Sequence, residues 1–326
     1  MAGVTGRRPM GVLRRRSFCI CCAVAAGQAV GAAMLTPRQA FAQAKGIVQT
    51  MREAAASAPI EMHRLRGGVV MLEGAGGNVA VLPGRDGKLL IDAGLSESRS
   101  PLSRALAGLG NESVTRLANT HWHFDHTDGN SWLHEAGAII SARPETRSHL
   151  LSAQRVEDWD FTFPPAPPAA LPTVRIADGE ALRHNGATIA FQYYGPAHTD
   201  CDMSATFVEA NVLHAGDTFW NNVYPFIDYS TGGSVDGMIL AAERNIAITN
   251  DDTIVVPGHG PVGDRRDLRA FREMLVGVRD NVSALKRQGR SVEECVTARP
   301  TRPFDERWGN QLVTPAFFTR VVYAGV

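Results

Sequence analysis

Six consecutive positions, His121-Trp122-His123-Phe124-Asp125-His126, hold three imidazoles and one carboxylate. Neutral imidazole is a common zinc ligand, and a nearby carboxylate can complete a second site. The H-x-H-x-D-H spacing would scatter these groups around a regular helix. The motif follows an apolar run that ends in Leu117-Ala118-Asn119-Thr120, so it reads as a loop leaving a strand. Such a loop can fold several side chains onto one metal cluster, and the fold has to bring other ligands to that loop.

A solvated histidine tract is the plainer alternative. Against it, the cluster is internal, interleaved with Trp122 and Phe124, and followed by Asp128-Gly129-Asn130. Matching residues also recur at the ends of other apolar runs, in Pro196-Ala197-His198-Thr199, Leu213-His214-Ala215-Gly216-Asp217 and Val256-Pro257-Gly258-His259-Gly260.

Taken in order, these motifs resemble those of the metallo-β-lactamase fold superfamily, over roughly residues 65 to 265. The resemblance implies an αββα sandwich, two mixed sheets with helices on their outer faces and metals at one edge. It implies that His121, His123 and His198 hold one metal and that Asp125, His126 and His259 hold a second. Asp217 would bridge the two, and Asp92, in Leu90-Ile91-Asp92-Ala93-Gly94, would support the site from behind the ligands. Two zinc ions are the cofactor this set implies.

The leader is legible separately. Residues 1–44 carry six arginines and no acidic residue, then a small, apolar run and Ala40-Phe41-Ala42, an A-x-A cleavage pattern. That is an export signal rather than a spanning helix. Arg15-Arg16-Ser17-Phe18 resembles the twin-arginine motif, which addresses folded cargo, while a general secretion signal or an N-terminal anchor is the alternative. We therefore divide the chain into a leader (1–44), a lead-in (45–64) and a catalytic domain with C-terminal helices (65–326). A periplasmic or otherwise exported location is expected, without stable membrane association after processing.

The formal net charge of zero hides an acidic mature chain. Without the six leader arginines, 27 basic residues face 33 acidic ones, about −6. That argues against a nucleic-acid partner and for a small-molecule substrate; oligomeric state is not legible. Of five cysteines only Cys201 and Cys295 lie outside the leader. Their pairing stays open, and Cys201 reads as a packed thiol.

Alternation and turn residues predict strands at 66–72, 77–82, 88–92, 115–119 and 138–141, and again at 173–177, 187–193, 204–209, 212–216 and 253–256. Helices are expected at 98–109, near 128–136, at 235–248 and at 264–289. The aromatic and proline-rich segment 159–168 breaks this rhythm, as a substrate-facing wall or as a rigid connector. His134, His149, His184 and His214 read as satisfied structural residues, and His63 as preceding the fold.

Two zinc ions sharing a carboxylate would hold a bridging hydroxide at neutral pH and polarise an electrophilic carbonyl. Asp125 is the candidate proton shuttle, and Trp122, Trp220 and Tyr224 are candidate substrate contacts. Asp217 stands where one lactamase subclass carries cysteine, so the glyoxalase II, lactonase and general hydrolase branches fit better. Trp220 stands where acyl-homoserine lactonases carry tyrosine. The leading expectation is an exported dinuclear zinc hydrolase acting on an ester, thioester, lactone or lactam. The alternative is a non-haem iron persulfide dioxygenase of the same fold, using His121, His198 and Asp217 for one iron. A silent binding module is disfavoured, because seven costly polar groups have no reason to stay together in an abandoned site.

Overall fold

The computed structural model describes residues 46–326, so the leader and its cleavage site lie outside the described residues. Alternating apolar side chains dictate its layers. Strands β1 (Glu61–Arg64), β2 (Val70–Glu73), β3 (Val79–Leu82), β4 (Lys88–Ile91), β5 (Val114–Ala118) and β6 (Ile139–Ala142) pair in that order, and β9 (Val174–Arg175) closes the edge of a seven-stranded sheet. The first four strands pair antiparallel and the rest parallel. A second sheet of five runs β10 (Ala181–His184), β11 (Ala187–Tyr193), β12 (Met203–Phe207), β13 (Val212–His214) and β14 (Ile254–Val256), antiparallel except for β13 with β14.

The period of two sorts the strand residues into two cores. Met71, Ala80, Leu89 and Ile91 face Phe191, Met203, Phe207 and Val256 between the sheets. Their neighbours Val70, Leu72, Val81 and Leu90 point the other way, onto Leu102 and Leu106 of helix α2 (Arg99–Ala107) and Leu133 of α4 (Asn130–Glu135). The outer face of the second sheet packs Leu213 and Val255 under α6 (Val235–Ile248) and α7 (Arg265–Arg287). The result is the expected αββα sandwich of two mixed sheets.

Helix α7 begins where its cap dictates. The Asp264 side chain accepts from the backbone N–H groups of Arg266 and Asp267, and Asp267 accepts in return from the Asp264 backbone. Leu268, Phe271, Leu275, Val278 and Val282 recur every three or four residues and are buried, each burial worth roughly 1.5–3 kcal/mol. The helix stops before Gly289, which sits at φ +77°.

Two expectations change. The lead-in is part of the fold: residues 47–55 form helix α1 (Ile47–Ala55), and His63 lies in β1, the edge strand of the larger sheet. The irregular segment near 159 is a hairpin of β7 (Gln154–Val156) and β8 (Phe161–Phe163). Among the described residues no helix is long and apolar enough to cross a membrane.

Candidate metal centre

The chain delivers its polar groups to one rim of the sandwich. Asp92 follows β4, His121 to His126 follow β5, His198 lies between β11 and β12, Asp217 follows β13 and His259 follows β14. Four of these five are carboxyl ends of strands with a parallel neighbour, the common location of sites in α/β sheets. The ligand motif ends in a single helical turn, α3 (Phe124–Thr127), which turns Asp125 and His126 inward.

Two groups form there, all buried. In one, His121, His123, His198 and Asp217 bring one ligand atom each within 4.8 Å of the others; in the other, Asp125, His126 and His259 do the same. Asp217 Oδ2 lies 3.2 Å from His198 Nε2 and 3.4 Å from His259 Nε2, and its Oδ1 lies 3.1 Å from His126 Nε2. One carboxylate therefore touches both groups. His259 Nε2 lies 3.3 Å from Asp125 Oδ2. Ligands about 2.0–2.1 Å from a tetrahedral zinc stand about 3.4 Å apart, so this is the spacing of shared coordination spheres.

The outer edges of the imidazoles argue the same way. The Thr120 hydroxyl donates to Asp92, at 2.8 Å, so its oxygen accepts from His121 Nδ1, 3.0 Å away. His198 Nδ1 donates to the Phe226 carbonyl at 2.8 Å, His123 Nε2 to Asp228 at 3.1 Å, and His126 Nδ1 to Asp92 at 2.8 Å. In His121, His123 and His198 this fixes a tautomer whose other nitrogen faces inward as a bare lone pair, while His126 turns its Nε2 inward on Asp217, 3.1 Å away. His123 Nδ1 and His198 Nε2 then oppose each other at 2.9 Å, which is repulsive without a cation between them. His121 Nε2, His126 Nε2 and Asp217 Oδ1 are buried and make no hydrogen bond. Orphaned buried acceptors around one point fit a bound metal.

Electrostatics divide the two groups. Burial pushes the His121 and His123 imidazoles below their ordinary range. His126 and His259 are held up despite burial, by Asp217 first and then Asp125, His259 to about 9. Burial works against the Asp217 charge as well, yet His126 and His259 hold it far below the usual carboxylate range. In the second group, protons on His126 and His259 balance the Asp125 and Asp217 carboxylates, and a cation bound there would take the place of those protons.

Backbone shape enforces the packing. Asp92 sits at φ 68°, a strained conformation for a non-glycine residue, while its carboxylate accepts from the Thr120 N–H at 2.7 Å. A Cβ on Gly77 would lie 2.2 Å from the His126 ring, and one on Gly258 would lie 2.0 Å from Asp217 Oδ1.

The substrate side differs from expectation at two of three aromatics. Trp220 does line the cleft, tilted over His259 at 4.0 Å between centroids. Trp122 is buried behind the ligands, donating to Thr231 Oγ1 at 3.1 Å, and does not line it. Tyr224 is fully buried beyond the cleft, stacked on Phe318 and donating to Asp305 and the Thr301 carbonyl. A polar tip that satisfies itself in the core explains both corrections. Within segment 159–168, both readings hold in part. Trp159 lines the cleft beside His123, whereas Phe163 packs on Trp122 and Phe124.

Among the other residues, Cys201 and Cys295 are free, buried thiols, and burial pushes Cys201 up. His214 is satisfied by the Asn78 carbonyl and the Gly216 N–H. Three residues escaped the sequence reading. Asp228 anchors His123, and its signal was a lone carboxylate inside the apolar run Phe226-Ile227-Asp228-Tyr229. Ile47 and Met51, from α1, form one wall of the cleft.

A family model described as the metallo-beta-lactamase superfamily matches residues 72–259. A hydroxyacylglutathione hydrolase of Polaromonas sp. (strain JS666 / ATCC BAA-500) is 27% identical over 166 residues, 49% of this chain and 54% of that protein. The stereoselective inverting sec-alkylsulfatase Pisa1 from Pseudomonas sp. superposes with a TM-score of 0.60 at 14% identity, covering 93% of this chain and 54% of that one. The DIM-1 metallo-beta-lactamase superposes with a TM-score of 0.52 at 19% identity, covering 67% of this chain and 97% of that one. The chain thus spans about half the length of the hydrolase and of the sulfatase.

Proposed function

The chain belongs to the metallo-β-lactamase superfamily, whose members are mostly hydrolases, and on that premise we propose an exported dinuclear zinc hydrolase that cleaves an ester, thioester, lactone or lactam bond. One observation carries the reading: four imidazoles, each anchored on its outer nitrogen, turn the other nitrogen toward a carboxylate shared by two ligand groups. When bound, two zinc ions there would supply hydroxide at neutral pH and polarise the scissile carbonyl.

The chain's own residues account for the rest. His121, His123 and His198 would hold a first metal and Asp125, His126 and His259 a second, with Asp217 within reach of both groups. Asp92 and Asp228 fix ring orientation from behind, at 2.8 and 3.1 Å from His126 and His123. Asp125 reaches the cleft and stays ionised despite burial, because His126 and His259 lower its pKa. An ionised carboxylate at that place can take a proton from the nucleophile and return it to the leaving group. Trp159 and Trp220 exclude water from the two sides. β-Lactam hydrolysis is compatible with this arrangement and not demanded by it. The export part of the reading rests on Arg15-Arg16 and the Ala40-Phe41-Ala42 pattern of the sequence.

The test is turnover of an ester, thioester, lactone and lactam panel by the zinc-loaded mature chain and by Asp125→Asn. We expect hydrolysis of at least one class, and a fall in kcat of about 100-fold or more in the variant. A variant retaining nearly full rate removes Asp125 from the mechanism. Absence of turnover across the panel, with zinc bound, removes the hydrolase reading.

A further inference from the structure

Beside the ligands, the cleft is built almost wholly of hydrocarbon. Its walls are Ile47 and Met51 of α1, Trp159 of the β7–β8 hairpin, Val223 and Phe226 of the loop after Asp217, and Leu312. The walls close in tightly and leave a cavity of about 30 Å³ between them. Among the described residues, no lysine or arginine lines it.

The cations carried by the wall elements are engaged elsewhere. Arg52, next to Met51 on α1, pairs with Glu97 at 2.8 Å and with Asp128 at 2.5 Å. Arg155 of the hairpin pairs with Asp160 and Glu157. Arg307 pairs with Asp267 at 2.8 Å and donates to Asn222. An anionic group brought into these walls would be desolvated without a partner, which is strongly unfavourable. Asp158, half-buried beside Trp159, is a further carboxylate next to this wall. Polar complementarity is limited to neutral groups. Trp159 Nε1, Trp220 Nε1 and Gln311 Oε1 are buried without partners on cleft-lining residues.

We propose that this cleft selects an uncharged substrate with an apolar acyl or alkyl arm, such as a neutral ester or lactone, and discriminates against substrates whose arm carries a negative charge. The proposal deepens the hydrolase reading and rests on it for its kinetic arm alone. A glutathione thioester, whose peptide arm carries carboxylates, is disfavoured on the same ground.

The test uses two matched pairs on the zinc-loaded mature chain. The first pair is 4-nitrophenyl hexanoate and the same ester with a sulfonate on its terminal carbon, a poor zinc ligand. The second is 2-heptanone and its terminal sulfonate, followed as quenching of tryptophan fluorescence, which needs no turnover. We expect kcat/KM for the neutral ester to exceed that of the sulfonate by about 100-fold or more, and the ketone to bind at least tenfold tighter. Ratios near one, or inverted, in either pair overturn the proposal. Ketone selectivity without hydrolysis of either ester supports the ligand class and removes the hydrolase reading instead. Turnover that favours the sulfonate keeps the hydrolase and removes the ligand class. Gln311→Lys, at a partly exposed position on the rim, places a cation there without touching a ligand. It should narrow the ester ratio at least tenfold with zinc content unchanged; an unchanged ratio contradicts contact between that wall and the substrate arm.

Discussion

At four of the five rim histidines, one ring nitrogen is committed outward so that the other turns inward. Asp228 does this for His123, accepting also from Thr231 Oγ1 at 2.6 Å and from the Ser230 N–H at 2.9 Å. It is a positioning residue, and removing such a partner typically costs roughly 10–100-fold in metal affinity. We expect Asp228→Ala to lose affinity at the first site by about that factor, read by competition with a chelator, while the second site is unaffected. Equal losses at both sites would mean general loosening. Gly77 makes the complementary test. Its missing side chain leaves room for the His126 ring, 2.2 Å from where a Cβ would lie. Gly77→Ala should therefore displace His126 and lower metal content from two to about one per chain. A fully loaded variant would show that His126 is dispensable to the second site.

At the scale of elements, periodicity carried most of the fold. Helix 235–248 matches its predicted bounds, and 264–289 matches to within two residues at each end, because capping residues and a 3.6-residue apolar stripe are local signals. That the loop 121–126 meets Asp217, His198, His259 and Asp92 at one rim was legible too, since each lies at the end of an apolar run. The cleft walls were not. Met51 faces the site only because α1 docks across the sandwich, held by Arg52 to Glu97 and Asp128, and no local pattern in residues 47–55 encodes that contact. Tyr224 failed for a related reason: proximity to Asp217 in sequence says nothing of which way a loop residue turns. Strand β1 supplies a prediction of its own. His63 lies 2.8 Å from Glu73, whose hydrogen bond raises the imidazole pKa above its ordinary 6.5 in spite of partial burial, with Glu61 adding to it. A pKa raised by folding stabilises the fold below pH 6.5, and that contribution disappears as the pH rises through the raised value. Urea midpoints of the native chain and His63→Ala should differ at pH 5.5 and converge by pH 9. A gap independent of pH would mean that the imidazole acts only through packing.

Over the whole molecule, the two sheets serve as rigid supports that carry a buried, highly polar rim. Seven ionisable residues lie there at 5% exposure or less, an arrangement that is costly unless a cation compensates it. Metal should therefore stabilise the fold. A single site held at 100 times its Kd contributes about 2.7 kcal/mol, so removing metal with a chelator should lower Tm by at least about 5 °C. An unchanged Tm would mean that the rim is satisfied by protons alone. The central claim, that one carboxylate joins two zinc sites, is tested most directly by metal identity and stoichiometry in the purified protein, measured by elemental mass spectrometry. The geometry predicts two zinc ions per chain. One iron ion per chain would contradict it, and would direct attention to oxygen-dependent sulfur chemistry on the same ligands.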